Sequence, residues 1–437
     1  MFKKAYIKTY GCQMNEYDSE VMAGLLTKDH YQLTSKPEEA DLIILNTCYV
    51  REKVKQKVYS KLGEIKKLKE KNPHLILGVC GCVAQRRPEE VLQQAPYVDF
   101  ILGTFNFYRL PLVVRRVRES GERIVDVEER ETIPEKLPKL RKNRFSAYVP
   151  IMRGCDNFCT YCNVPYVRGR ERSRLPEDIL REVEELSCQG YKEVTLLGQN
   201  VNSYGKGLEN RLDFADLLTR INCIEGIERI RFTTSHPKDI TDKLIQRMRD
   251  LDKVCEHLHL PVQAGSNKVL KRMRRGYTKE RYLELVDKIR KTIPQISLTT
   301  DIIVGFPGES EQDFQETLDL VRKVEFDGAF TFCYSRIKGT EAAEFEDQLP
   351  EEVKKERLRR LIQLQREILE KRNKSLVGQK FEVLVEGLSK KSSDELQGRT
   401  RTNKVVVFKG SPDLVGKLVQ VKIVDSSQWA LRGEICG

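Results

Sequence analysis

Residues 155–162 read CDNFCTYC and follow a β-like run, SAYVPIMRG. Three thiolates spaced C-x3-C-x2-C can hold three irons of a [4Fe-4S] cube and leave the fourth iron open. An open iron can take the amino and carboxylate groups of S-adenosylmethionine, whose reductive cleavage yields a radical. The bland alternative is a zinc knuckle, but structural zinc takes four ligands, commonly as paired C-x2-C or Cys/His sets. Only Cys159 and Cys162 have that spacing, and no histidine lies near them. The triplet therefore predicts Cys155, Cys159 and Cys162 as cluster ligands.

At 437 residues the chain exceeds one ordinary core, so two or three domains are expected. Charged residues make up 32% and the hydrophobic set 39%, which suits a soluble protein. The opening MFKKAYIKTYGCQMNEYDSE lacks the apolar stretch of a signal peptide, and no run approaches a membrane span. A cytoplasmic protein without a membrane partner is the expectation, and its twelve cysteines are then reduced thiols, as ligands or small buried hydrophobes. The formal net charge of +12 fits a polyanionic partner without identifying one.

Residues 1–125 alternate strand-like runs (KKAYIKTY, DLIILNT, HLILGVC, DFILGT) with helical patterns (SEVMAGLLTKD, VREKVKQKVYSKLGEIKKLKEK, PEEVLQQA). Such alternation predicts a parallel α/β sheet with helices on its faces. Cys12, Cys48 and Cys82 each follow one of the first three strands. Ligands of open α/β sheets gather at the carboxyl ends of strands, so the three predict a second metal centre. Taken singly, each would read as a core cysteine.

From residue 147 the alternation restarts, with six strand-like runs: AYVPIM, EVTLLGQ, RIRFTTS, HLHLPVQ, LTTDIIVGF and AFTFCYS. Six β/α units are too few for a closed eight-stranded barrel and predict an open partial (β/α)6 barrel. Its functional face should be the carboxyl ends of the strands. That face would carry the cysteine triplet, Gln199 and Asn200, Ser235 and His236, then His259, Gln263 and Ser266, and the turn from Gly305 to Gly308 and Glu309. His236 and His259, each taken alone, read as structural histidines.

Residues 126–146 form a charged, proline-containing linker. EEVKKERLRRLIQLQREILEKRNKSL predicts one long amphipathic helix packing on the partial barrel and closing a domain of 147–374. Over 375–437 the pattern turns to β-alternation (FEVLVEG, TNKVVVFKG, LVQVKIVDS, ALRGEI), a small all-β barrel that serves as a nucleic-acid platform or as a structural cap.

The stretches GCQMNEYDSE, LNTCYVRE, GCVAQR, RGCDNFCTYCNVPYVRGRERSR, LGQNVNSYG, TSHPKD, HLPVQAGSN, TTDIIVGFPGE and YSRIKGTEAA resemble the methylthiotransferase branch of the radical S-adenosylmethionine enzymes. The likeness spans almost the whole chain: an N-terminal cluster domain, a radical barrel and a C-terminal TRAM domain. LGQNVNSYG and TSHPKD are most similar to the tRNA-acting, MiaB-type enzymes. Two departures are small: Cys80 is an additional cysteine, and YSRIKGT lacks a proline often present there.

This resemblance implies methylthiolation of C2 of N6-isopentenyladenosine at tRNA position 37. A cluster on Cys155, Cys159 and Cys162 would cleave the cofactor, and a sulfur-donating cluster on Cys12, Cys48 and Cys82 would supply the methylthio group. No side chain is expected as an acid or base, because the adenine C2–H is not acidic. Gln199, Asn200, His259, Gln263, Ser266, Gly305 and Gly308 would cradle the cofactor. An electron donor, a supplier of sulfur or clusters and a monomeric state are further expectations. Arg168, Arg170, Arg172 and Arg174 fall at alternate positions beside Tyr166 and read as RNA contacts, with Lys271, Arg272, Arg274 and Arg275 as a second basic cluster. Strand periodicity does not separate Cys80 from Cys82, since residues two apart share a face. The context GCVAQR, like GCQMNE, favours Cys82 as the ligand. Two alternatives stay open: a relative acting on threonylcarbamoyl-adenosine or a ribosomal protein, and a non-catalytic iron–sulfur RNA-binding redox sensor.

Overall fold

The computed structural model describes residues 3–49, 52–130, 133–209, 212–389, 392 and 394–436. The expected start of the second helix at 50–51, and positions 131–132 of the expected linker, lie outside the described residues. Two compact units form: Met1–Asn143 with Arg153–Arg172 and Ile337–Thr340, and Arg144–Met152 with Ser173–Arg336 and Glu341–Gly437. These cut the chain differently from a division at 125 and 147. Asp126 ends a strand, the Leu140 amide donates to the Glu20 carbonyl (2.9 Å), and Leu137 packs on the core, so the charged stretch belongs to the first unit.

In the first unit six parallel strands lie in the spatial order Tyr31–Leu33, Lys3–Thr9, Leu42–Thr47, Ile76–Gly81, Phe100–Leu102 and Ile124–Asp126. Sequence reading found four of these. Tyr31–Leu33 and Ile124–Asp126 are three-residue edge strands, too short to display a period of two. Leu42–Thr47 and Ile76–Gly81 are buried at every position, as befits strands covered on both faces. Val21, Met22 and Leu26 of helix Gln13–Lys28 cover one face with Val113, Val114 and Val117 of helix Leu110–Ser120. Val58, Leu62 and Ile65 of helix Glu52–Lys71 cover the other.

The second unit contains the six predicted parallel strands in two groups. Ser146–Pro150, Glu193–Leu197 and Arg229–Phe232 form one; His257–His259, Ser297–Val304 and Gly328–Cys333 form the other. A lone parallel bridge from Ile230 to Val254 joins them into an open partial barrel. Helix Glu351–Lys374 sets Leu361 and Ile368 into its core, as the amphipathic pattern predicts. Among the described residues no helix is long and apolar enough to cross a membrane.

Residues after 375 close into a five-stranded barrel with Val383, Val385, Val406, Phe408, Val421 and Ile423 inside. The strand that sequence reading missed is Glu395–Thr400. Its inward positions are Leu396, Gly398 and Thr400, so its alternation is real but only one of them is strongly apolar.

This small barrel docks on the amino ends of the large barrel's strands. Arg229, fully buried, donates to the Glu382 carboxylate (2.7 Å) and to the carbonyls of Glu382 (3.0 Å) and Arg399 (2.8 Å). Arg231 joins Glu193 (2.7 Å) to the carbonyls of Thr400 (2.7 Å) and Arg401 (2.9 Å), and Arg401 pairs with Glu256 (2.8 Å). Arginine suits this task because one planar guanidinium can satisfy several acceptors at once. These contacts fix the small barrel on the large one and leave its expected nucleic-acid role open. Arg229→Ala, which strips three acceptors of their donor, is expected to cost about 2–4 kcal/mol. Thermal unfolding of the whole chain checks this; an unchanged midpoint would show that the small barrel is held by apolar contact alone.

Candidate metal centres and cofactor face

Lys3–Thr9 has Tyr31–Leu33 on one side and Leu42–Thr47 on the other, so the chain reverses its direction of travel between the first strand and Leu42–Thr47. The crevice at such a switch point, beyond the carboxyl ends, is where open α/β sheets bind ligands. The register pairs Thr9 with Asn46 and Thr47 with Gly81. Cys48 directly follows Thr47, Cys82 directly follows Gly81, and Cys12 caps helix Gln13–Lys28 just beyond Thr9. With neighbouring strands about 4.8 Å apart, the three thiols are delivered to one end of three adjacent strands.

Two glycines make this approach possible. A Cβ on Gly11 (φ +125°) would stand 2.5 Å from the Cys48 Cβ and 3.1 Å from its sulfur, so only glycine lets Cys48 lie against the Cys12 turn. Gly81 (φ +89°) would meet Asn46 Oδ1 and the Thr47 carbonyl at 2.4 Å. Its turn also separates Cys80 from Cys82, which alternation alone would place on one face. Cys80 packs in the core with Ile44, Phe100 and Leu102, whereas Cys82 lies on the opposite side of the sheet near Cys12. Burial pushes both thiols up; for Cys82 the Arg168 guanidinium opposes that shift.

A polar network surrounds these thiols. Cys12 donates to Asn15 Oδ1 (3.5 Å), and Asn15 Nδ2 donates to the Thr47 carbonyl (2.9 Å). Asn46 Nδ2 donates to the Asn15 carbonyl (2.8 Å) and to Ser19 (2.9 Å). Arg168 reaches in to Asp18 (2.7 Å) and to Asn15 Oδ1 (3.0 Å). Asn15 and Asp18 were not anticipated. Their signal was the i, i+3 spacing on the helix that Cys12 opens.

The CDNFCTYC loop belongs to the same unit. Cys155 and Cys159 are buried and Cys162 is half-buried. Asn157 Nδ2 donates to the Cys155 sulfur (3.3 Å) and the Val164 amide to the Cys162 sulfur (3.4 Å), the kind of donor that steadies thiolate ligands. Burial raises the Cys155 thiol, with Asn157 acting against it. Phe158 holds a left-handed backbone (φ +45°) and meets Tyr166 edge-on at 6.3 Å, while Arg170 covers its other side at 5.3 Å.

None of the twelve cysteines forms a disulfide. Among the described residues, no group of three or more His, Cys, Asp or Glu side chains is placed to hold a metal ion as it stands. Both triplets nonetheless fit an iron–sulfur cluster in donor type, shared location and hydrogen-bond donors. Thiolates are the ligands of such clusters, and two nearby guanidiniums, Arg168 and Arg153, oppose their charge at the Cys12 site.

In the second unit the expected cofactor residues all stand at the carboxyl ends of strands. Asn200 Nδ2 donates to Asp239 (2.7 Å), and among the described residues its buried Oδ1 finds no partner; neither do Ser235 Oγ and His236 Nε2. Burial, with Arg275, Lys238 and Lys206 adding, pushes His236 down to about 2, so its imidazole is neutral. Gln199 is half-buried. His259 Nδ1 lies 3.0 Å from Thr299 Oγ1, and its Nε2 lies 3.5 Å from Asp301. Gln263 adopts a left-handed backbone (φ +70°) bonded to the Asp301 carbonyl (2.9 Å). Ser266 donates its hydroxyl to Asp313 (2.6 Å) and occupies the N-cap position of helix Asn267–Arg272 without a capping side-chain bond. The Gly305 amide donates to Glu309 (2.9 Å), which Arg357 of the long helix holds (2.7 Å), and the Gly308 amide donates to the Asp347 carbonyl (2.9 Å). Unpartnered buried polar atoms beside braced glycine turns suit a polar, zwitterionic ligand.

The arginine ladder is split by the fold. Arg168, 3% exposed, is no phosphate contact: it is committed to Asp18 and Asn15. Arg174 is half-buried, on Glu182 (3.0 Å) and the Pro150 carbonyl (2.6 Å). Arg170, paired with Asp156, and Arg172 remain exposed. The second basic cluster is largely neutralised: Arg272 pairs with Asp347, Arg274 with Glu341, and Arg275 is buried on the Pro261 carbonyl.

The chain matches the Radical SAM superfamily over 149–321, the TRAM domain over 374–436 and the family described as Uncharacterized protein family UPF0004 over 4–103. It is 56% identical over 432 residues to the tRNA-2-methylthio-N(6)-dimethylallyladenosine synthase of Moorella thermoacetica, covering 98% of this chain and 97% of that one. The synthase of the same name from Carboxydothermus hydrogenoformans is 56% identical over 434 residues, covering 99% of each. Among solved structures, the cobalamin-dependent S-adenosylmethionine radical enzyme OxsB superposes with a TM-score of 0.54 at 16% identity, covering 82% of this chain and 56% of that one. The radical S-adenosylmethionine methyltransferase TsrM from Kitasatospora setae does so with 0.55 at 12%, covering 75% and 72%. At such identities the likeness to these two is one of fold alone. Sequence identity above one half over nearly every residue is a stronger tie, and by it the chain belongs to the tRNA-2-methylthio-N(6)-dimethylallyladenosine synthase family of radical SAM enzymes.

Proposed function

We propose that this enzyme methylthiolates C2 of N6-isopentenyladenosine (N6-dimethylallyladenosine) at position 37 of tRNA, with S-adenosylmethionine as cofactor. The observation that supports this reading is that Cys12, Cys48 and Cys82 each follow one of three adjacent strand ends at the switch point of a parallel sheet, in a chain that also bears the CDNFCTYC loop. Two [4Fe-4S] clusters are assigned, one to each triplet; when bound, they supply the reductive cleavage of the cofactor and the sulfur for transfer. The division of labour assigned is 1–125 for sulfur donation, 147–374 for radical generation and 375–437 as a TRAM-like RNA-binding barrel, with 126–146 as the linker between the first two.

The chain's own side chains hold and orient. Cys82 is steadied by the charge of Arg168, and Cys155 and Cys162 by Asn157 and the Val164 amide. Asn200, Gln199 and His259 offer hydrogen bonds to the amino acid and ribose parts of the cofactor. Glu309, fixed by Arg357, keeps the Gly305 turn rigid, and Ser266, at the N-cap position of the helix that follows Gln263, is held by Asp313. No acid or base is needed on the adenine, whose C2–H is not acidic. Arg170 and Arg172 are assigned to phosphates of the tRNA, and an electron donor and a supplier of sulfur act as partners of a cytoplasmic monomer.

Anaerobic incubation with S-adenosylmethionine, reductant and tRNA bearing N6-isopentenyladenosine should give the 2-methylthio nucleoside in digests analysed by mass spectrometry. tRNA bearing threonylcarbamoyl-adenosine should return unchanged. The opposite preference would move the enzyme to the sister branch, and 5′-deoxyadenosine formation in neither case would leave a redox sensor.

Iron analysis addresses the two centres. Reconstituted protein should hold about eight irons, and the Cys155→Ala/Cys159→Ala/Cys162→Ala variant about four. Loss of all iron from that variant while it stays folded would remove the second centre from the account.

A further inference from the structure

Beneath the Cys12 thiol the first unit buries more positive than negative charge. Arg168 and Asp18, each 3% exposed, form an ion pair at 2.7 Å. Arg153 stands 4.0 Å from the other Asp18 oxygen and gives its remaining donor to the Thr104 carbonyl (2.8 Å). The titratable and charged groups facing this spot are Asp18, Arg153 and Arg168 with Cys12, Cys80 and Cys82. Two guanidiniums thus face one carboxylate, and buried charge is costly unless it is matched. The only other anionic candidates among these groups are thiols. Arg168 donates to Asn15 Oδ1 (3.0 Å), the same atom that accepts from the Cys12 thiol (3.5 Å), and it is a close Coulombic neighbour of Cys12 and Cys82.

We propose that Arg168 is a positioning residue for the Cys12/Cys48/Cys82 centre, its buried guanidinium offsetting the negative charge gathered there and setting how readily that centre takes an electron. The inference rests on the reading of these cysteines as cluster ligands. A cube of the [4Fe-4S] type held by three thiolates carries one net negative charge, and two after one-electron reduction. A fixed cation close by favours the more negative state, and a buried one is little screened by salt. The same residue has a second consequence. Arg168 ends helix Val164–Arg168, which starts just past Cys162, and it grips helix Gln13–Lys28, which starts just past Cys12. Thr104, bonded to the Val167 carbonyl, secures the same segment. The charge that tunes one triplet is therefore carried on the strand of chain that follows the other.

The test uses full-length protein carrying Cys155→Ala, Cys159→Ala and Cys162→Ala, so that only the Cys12 centre contributes a signal. Reconstituted samples are poised at a series of potentials, and the reduced cluster is read by electron paramagnetic resonance alongside iron content. Adding Arg168→Gln should retain iron and lower the reduced-to-oxidised ratio at a fixed potential by about tenfold or more, with Arg168→Lys between the two. Asp18→Asn, which leaves Arg168 in place without its counter-charge, should raise that ratio. If Arg168→Gln loses its iron, the Asp18→Asn shift decides the matter. An unchanged ratio in Asp18→Asn, or in an iron-replete Arg168→Gln, would overturn the proposal. Absence of any cluster from the parent variant would instead refute the reading of Cys12, Cys48 and Cys82 as ligands.

Discussion

Parallel pairing of three adjacent strand ends is the constraint on which the proposed Cys12 centre rests. Thr9 is level with Asn46, and Thr47 with Gly81, so the residues that leave these strands leave from one edge at one height. A slip of one residue would turn the side chains of a strand to the other face and carry a thiol away from its partners. Burial on both faces prevents that slip, because every position of Leu42–Thr47 and Ile76–Gly81 is packed. Gly11 and Gly81 then let the chain turn sharply enough for Cys48 to lie against the Cys12 turn. The apolar core, the register and two left-handed glycines together bring three distant cysteines to one end of the sheet.

Electrostatics complete what packing begins. A fold rarely buries arginine without a partner, yet here arginines are buried in both units and do different work. Arg229 and Arg231 satisfy carbonyls and carboxylates at the amino ends of the large barrel's strands, where their role is structural. Arg168 lies at the carboxyl end of the first unit's sheet, beside thiols, where the same chemistry would tune the proposed centre. In α/β architectures stability devices gather at the amino ends of strands and reactive ones at the carboxyl ends, and each unit is consistent with that separation.

Much of this was legible in the residues. The βα alternation, the open six-stranded barrel, the long helix and both cysteine triplets all have local signatures, namely periodicity, spacing and glycine context. What was not legible depends on partners remote in sequence. Arg168 looked like one rung of an exposed basic ladder because nothing near it reveals Asp18 150 positions away. Arg272 and Arg274 are likewise neutralised by Asp347 and Glu341, and the Ser266 hydroxyl by Asp313. Strands Tyr31–Leu33 and Ile124–Asp126 exist because a neighbour offers them an edge, and Glu395–Thr400 because a closed barrel requires it.

The central claim is that Cys82, and not its neighbour Cys80, completes the donor set that furnishes the methylthio group. The two single alanine variants, assayed anaerobically side by side for 5′-deoxyadenosine and for 2-methylthio nucleoside, test it most directly. The account predicts that Cys82→Ala still cleaves the cofactor yet yields no methylthio product, whereas Cys80→Ala yields both. Methylthio product from Cys82→Ala, with its loss in a folded Cys80→Ala, would contradict it.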